Sequence, residues 1–452
     1  MSALRPSIGP ARASSGLPTP YILAGAAACT LAGLAFAYVL TIFTPPLPLV
    51  VAGSIGFAGL ATLAVARLDS AVALGMLTLG VVVVEPAPPD AVFAVVIAVA
   101  AVTGRFSLKG TPLSIFTGLA LFLTLSIFSV IEAIEASKAV VYLAITVYLI
   151  VFSVWMAGYV DSVKRSTMIV KAYVIGAALV GALSTLALFV PIPGGELLLT
   201  SDGLRAQGLF QDPNVYGPFM VPAALLMLEE LINPRLLTWR PTVKALVFVI
   251  LVAAATFSYS RATWGSTVVG ILVVLAVLSL RRGGSRRAMW GLVLLATGFA
   301  LATFVLSATG SLGFIEERAT LQSYDTDRFA AQRLGLELAF QKPLGIGPGQ
   351  FEVISPVATH STYVRALAEQ GLLGLAAMLT ILFGTLILAL RNAMLGRDAW
   401  GIGSATLLGA WIGLLVNSAV VDTAHWRILW FVAALIWAAS MRHRWEGRQA
   451  AT

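Results

Sequence analysis

Charge is what this sequence lacks. Only 11% of its 452 residues are Asp, Glu, Lys or Arg, 59% are hydrophobic, and the mean hydropathy is +0.92. No soluble fold of this length carries so little charge, so the composition excludes a water-soluble enzyme and predicts an all-α polytopic membrane protein. Cysteine is scarcer still. The single thiol, Cys29, falls inside an apolar run, which leaves no disulfide framework and no thiolate metal cluster. Internal repeats are missing too, and with them the usual signature of a transporter built from two related halves. The net charge of +8 does not point to nucleic acid, because the basic residues fall in short loops between apolar runs and read as orientation signals.

Apolar runs bounded by Pro, Gly or charge are what the sequence has instead. They predict roughly fourteen spans, or twelve if short pairs are re-entrant. The runs cover 21–43, 47–66, 70–84, 90–103, 112–130, 138–158, 165–190, 212–231, 241–258, 262–280, 288–307, 361–390, 399–420 and 426–441. Residues 1–20, rich in Pro, Ser and Arg, read as a disordered cytoplasmic N-terminus, and 21–43 as a retained first span. Spans within 21–190 form an N-terminal transmembrane region. A catalytic region is expected over 191–441, and 442–452 is a cytoplasmic tail. With the N-terminus inside, most Lys and Arg fall in inner segments, while the outer segments hold more acid than base, including Glu85, Asp90, Glu132 and Glu135. Both termini are therefore expected in the cytoplasm. The long loops 191–211 and 308–360 are expected outside, the second as a large extracytoplasmic loop before the helix starting near residue 361.

The rest of the chain is organised around the end of that loop. A Gly/Pro turn, Lys342 to Phe351, is followed by His360, placed one residue before a long apolar helix. The turn reads as the roof of an active site with His360 beneath it. Outward basic residues are the informative ones, because the orientation rule does not explain them. Arg205, Arg261, Arg328 and Arg333 are expected to converge with His360. Guanidinium forks match phosphate oxygens in bidentate fashion and stay charged at any working pH. A histidine at a helix N-terminus among arginines is held neutral and can take a proton from an attacking hydroxyl. Together these describe transfer from a diphosphate leaving group. No Asp/Glu pair at metal-ligand spacing accompanies the arginines, so no metal or other cofactor is expected. Asp325 and Asp327 read as solvated loop.

Four pieces between 200 and 375 resemble the O-antigen ligase/polymerase family of GT-C-type glycosyltransferases. Arg205-Ala-Gln-Gly-Leu-Phe-Gln-Asp-Pro-Asn214 is similar to its Arg-x-x-Gly-x-Phe-x-(Asp/His)-Pro-Asn segment, and Ser260-Arg261-Ala262 to its Ser-Arg-(Ala/Gly) hairpin. Arg328, with Pro343 to Phe351, resembles its Arg…Pro-Leu-Gly-(Val/Ile)-Gly-x-Gly-x-Phe element. His360 to Gly374 resembles its His-Asn-x-(Tyr/Phe)-Leu…Glu-x-Gly-Leu-Leu-Gly helix start, with Ser361 standing where the family has Asn. The resemblance implies a multi-pass protein of the bacterial inner (plasma) membrane, with its active site on the periplasmic or outer side. It implies an inverting transfer of a glycan from undecaprenyl diphosphate to an acceptor hydroxyl. His360 would be the base, and Arg205 and Arg261 the pyrophosphate ligands. Arg328, Arg333, Asn214, Tyr363 and Arg365 would make further substrate contacts. The partners implied are the lipid-linked glycan donor, a glycan or lipid acceptor and membrane lipids, with no nucleic acid. The rival class is a lipid-linked oligosaccharide flippase or transporter. Blander roles compete at single positions. Arg365 and Glu369 sit at i,i+4 and suit an internal ion pair, His425 suits an interfacial anchor beside Trp426, and His443 belongs to the basic tail.

Overall fold

The computed structural model describes residues 47–84, 86–281 and 323–449, with isolated positions between 286 and 313. The expected tail 1–20, the span 21–43 with Cys29, Glu85, most of the span 288–307 and the first part of the loop, 308–322, lie outside the described residues. The protein is an all-α polytopic membrane protein. Among the described residues, six helices are long and apolar enough to cross a bilayer, and five apolar helices are shorter. The contacts divide the chain into two compact units, Met1–Ala71 with Val95–Arg105, and Val72–Ala94 with Phe106–Thr452. The packing and the candidate site described below lie in the second.

In chain order the helices are α1 Leu47–Ala66, α2 Leu68–Leu77, α3 Pro88–Val102, α4 Leu113–Ser129, α5 Ala136–Tyr159, α6 Val163–Ala187 and α7 Pro213–Ile232. After them come α8 Pro241–Phe257, α9 Arg261–Leu280, α10 Ser323–Gln341, α11 Phe351–Ile354, α12 Thr362–Leu395, α13 Ser404–Val420 and α14 Arg427–Gln449. Helix α13 starts later than the apolar run at 399, because Trp400 and Gly401 turn the chain at φ 52 and 99 and an Ala399–Ile402 bridge closes the turn.

Helix α9 packs on α13 and α7, α7 on α8, and α12 on α4, α13 and α14. Inside lipid these contacts gain little from hydrophobicity, so polar ties and close packing specify them. Trp411 Nε1 donates to the Leu382 carbonyl at 3.1 Å, Trp437 Nε1 to Thr385 Oγ1 at 2.9 Å, and Asn392 Nδ2 to the Ile436 carbonyl at 3.1 Å. The α7–α8 turn is fixed by Glu230, whose carboxylate accepts from the backbone of Arg235, Leu236 and Leu237 and from buried Lys244 Nζ at 2.7 Å.

One expectation gains detail here and another is corrected. The long loop before residue 361 contains a helix, α10. Its overall polarity hides an apolar seam at Ala331, Leu334, Gly335 and Leu338, the i, i+3, i+4, i+7 spacing of one helix face. That seam packs with Ile346, Phe351 and Ala368. The Gly/Pro turn is not a roof over His360. It is bonded to α12 where that helix breaks at Gly371, which takes φ 71 and ψ −173. Ile346 and Gly347 donate to the Ala368 and Glu369 carbonyls at 2.9 and 3.1 Å, and Gly349 donates to Glu369 Oε2 at 2.8 Å. Carbonyls left open by the broken helix thus find partners in the turn. A Cβ on Gly371 would lie 2.0 Å from the Pro343 carbonyl oxygen, and one on Gly345 2.2 Å from that of Glu369, so both positions exclude a side chain.

Candidate active site

Four segments distant in sequence meet at one end of the bundle. The 199–212 segment folds back through a Leu199–Ala206 bridge and is tied to the end of α8, with Ala206 N donating to the Phe257 carbonyl at 3.0 Å. Arg205 Nε donates to the Ser258 carbonyl at 2.9 Å, and its Nη2 to Asn214 Oδ1 at 3.3 Å. Asp212 caps α7 by accepting from Asn214 N at 2.7 Å, and Pro213 occupies the first helical position, where a missing N–H costs nothing.

The α8–α9 turn puts Arg261 at the first residue of α9. Tyr259 in this turn has φ 49, a conformation that L side chains rarely adopt. The turn is held by Trp264 Nε1, which donates to the Thr256 carbonyl at 3.1 Å. Helix α7 approaches closely here, since a Cβ on Gly217 would lie 2.3 Å from Thr263 Oγ1.

His360 also has positive φ, 45. It is held between Thr359, whose Oγ1 donates to the Ser361 carbonyl at 3.2 Å, and Ser361, which caps α12 by accepting from Val364 N at 3.4 Å. Ser361 therefore caps the helix that follows the histidine. Strained backbone of this kind persists only where its surroundings over-determine it, and it gathers at functional sites.

These segments enclose a cavity of about 540 Å³. Arg205, Asn214, Arg261, Arg328 and His360 line it. Tyr259, Ser260, Phe329, Gln332 and an apolar wall of Val416, Val420 and Val421 complete it. No Asp or Glu appears among the described residues lining it. Burial lowers the pKa of half-buried His360 from its ordinary value, and the positive charge of Arg328 adds to this. Asp212 and Glu352 oppose the shift, and Arg365 reinforces it. The lowered pKa favours the neutral imidazole, the form that can accept a proton.

The remaining candidates lie elsewhere. Arg333 is exposed on α10 and does not line the cavity. Tyr363 donates to the Leu415 carbonyl at 3.3 Å. Arg365 is buried in an ion cluster: its Nη1 reaches Tyr142 Oη at 3.2 Å and Glu369 at 3.3 Å, its Nε reaches Asp422 at 2.8 Å, and Glu352 also pairs with it. His425 packs within this cluster with its ring 4.0 Å from that of Tyr142 and Nε2 3.0 Å from Thr146 Oγ1, and burial pushes its pKa down to about 4. Sequence reasoning passed over Phe329, Gln332, Tyr259 and the valine wall. Phe329 and Gln332 sit beside Arg328 at helical spacing, a signal that was present, but the valines look like any other span residues.

Comparison with known proteins bears on the same region. Residues 246–379 match the O-antigen ligase family. The matched stretch carries Arg261, Arg328 and His360, and supports an O-antigen ligase/polymerase-type glycosyltransferase acting on a lipid-linked glycan. No curated protein matches the chain.

Proposed function

We propose that this protein is an inverting, metal-independent glycosyltransferase that moves a glycan from undecaprenyl diphosphate to an acceptor hydroxyl. The observation that carries the reading is a half-buried imidazole sharing one cavity with three guanidinium groups; its lowered pKa favours the neutral form. The acceptor hydroxyl gives its proton to His360 as its oxygen attacks the anomeric carbon. The bond from that carbon to the diphosphate oxygen breaks, and undecaprenyl diphosphate leaves with the electron pair. Arg205, Arg261 and Arg328 neutralise the charge that develops on the leaving group, in a site where preorganised cations act more strongly than in water. Asn214 orients Arg205 through the hydrogen bond between them. The apolar valine wall gives the polyprenyl tail a lateral approach.

We place this catalytic region within 191–441, with the cavity on the outer side of the bacterial inner membrane and both termini in the cytoplasm. The distribution of Lys and Arg supports that orientation.

The test is to mix purified protein with undecaprenyl-diphosphate-linked glycan and acceptor in detergent. Formation of product with inverted anomeric configuration, read by NMR, is expected without added metal and in the presence of EDTA. Movement of intact donor across proteoliposomes, with no bond cleaved, would instead establish a flippase.

A further inference from the structure

The cavity has a polar wall of arginines, an apolar wall of valines, and a third side that neither role uses. That side is Phe329 and Gln332 on α10. The fold does not ask for an aromatic at 329. Helix α10 packs through Ala331, Leu334, Gly335 and Leu338, while Phe329 is 60% exposed. What distinguishes Phe329 from the other exposed apolar residues of α10, Leu336 and Phe340, is that it lines the cavity. Gln332 lies one helical turn from Arg328, so the two share a face, with Phe329 beside them.

A ring face next to a primary amide is the chemistry that recognises a sugar. The C–H groups of a pyranose carry partial positive charge and rest on the negative face of the aromatic quadrupole. The amide donates and accepts at once, which matches a pair of neighbouring hydroxyls. His360 lines the same cavity, so a sugar bound at Phe329 and Gln332 shares that space with the base.

We propose that Phe329 and Gln332 form an acceptor shelf, the two side chains that bind a pyranose ring of the acceptor. This rests on the transferase reading above.

The test uses the full-length protein in detergent and two measurements. In the first, methyl glucopyranosides, galactopyranosides and mannopyranosides are titrated and binding is followed by saturation-transfer NMR. At least one should bind wild type through its ring C–H protons. Phe329→Ala should weaken that binding about tenfold, Phe329→Trp should retain it, and Gln332→Ala should weaken it about fivefold. In the second, transfer kinetics should show Phe329→Ala raising the KM for saccharide acceptor with the KM for lipid-linked donor unchanged.

Three results would overturn the shelf: no sugar binding by wild type, equal binding by wild type and Phe329→Ala, or loss in Phe329→Trp as large as in Phe329→Ala. An Ala variant that binds sugar normally but partitions less into anionic lipid vesicles would assign Phe329 to the membrane surface, and also overturns it. If wild type binds sugar but never consumes undecaprenyl-diphosphate-linked glycan, the transferase reading fails and the sugar site stands.

Discussion

Two groups of charged residues flank the start of α12, and they are built on opposite principles. Around Arg365, one buried guanidinium is met by Glu352, Glu369, Asp422 and the hydroxyl of Tyr142. The space left there is about 20 Å³. Around His360, three arginines line about 540 Å³ with no carboxylate in the described lining. The first group satisfies itself and rigidifies the helix start. The second lines a cavity with three guanidinium groups and an imidazole, a lining whose chemistry suits an anion. The same contrast separates the two histidines. His425 is enclosed by Tyr142 and Thr146, whereas His360 opens on the cavity. An arginine near the membrane is thus better judged by the carboxylates around it than by its own burial.

The contrast can be broken or sharpened by substitution. His360→Ala should lower turnover roughly 10²–10⁴-fold, the range for losing a general base, with an unchanged melting curve in detergent. Wild-type turnover in that variant would remove His360 from the chemistry. Arg365→Ala should do the reverse. Stranding three carboxylates should destabilise the fold by about 3–5 kcal/mol, seen as early melting and a poor yield of monodisperse protein. A normally stable Arg365→Ala would erase the distinction between the two groups. Arg261→Ala should cost about 10²–10³-fold in kcat with little change in melting, and Arg261→Lys should recover only part, because an ammonium cannot make the bidentate contact. Arg328→Gln should produce the smallest effect. It removes a charge that lowers the His360 pKa, so the acidic limb of the kcat/KM profile, where activity falls as the base protonates, should move to higher pH. An unmoved limb would separate Arg328 from His360 electrostatically.

Much of this fold could be read from the sequence, because spans are local. Runs at 47–66, 241–258 and 262–280 appear as helices within a residue or so of their expected ends. The segments bearing Arg205, Arg261, Arg328 and His360 were legible because each is a short motif with a turn or cap. Other features depend on tertiary context. Helix α10 was hidden by its polarity, since only one seam of it is buried. The glycine turn looked like a lid, and its bonding to a broken helix could not be inferred without knowing that Gly371 leaves helical geometry. The valine wall belongs to the cavity only through the packing of α13 on α9. The left-handed backbone at Tyr259 and His360 is an outcome of packing that neither residue type announces.

The break at Gly371 divides α12 into two helical segments joined at a kink. The residues before it are clamped by the glycine turn and by the cluster at Arg365, while those after it run through the apolar bundle. Membranes differ in thickness, and a long spanning rod answers by tilting. A break nine residues past Thr362 gives such a rod a place to bend that lies beyond the clamped segment next to the imidazole.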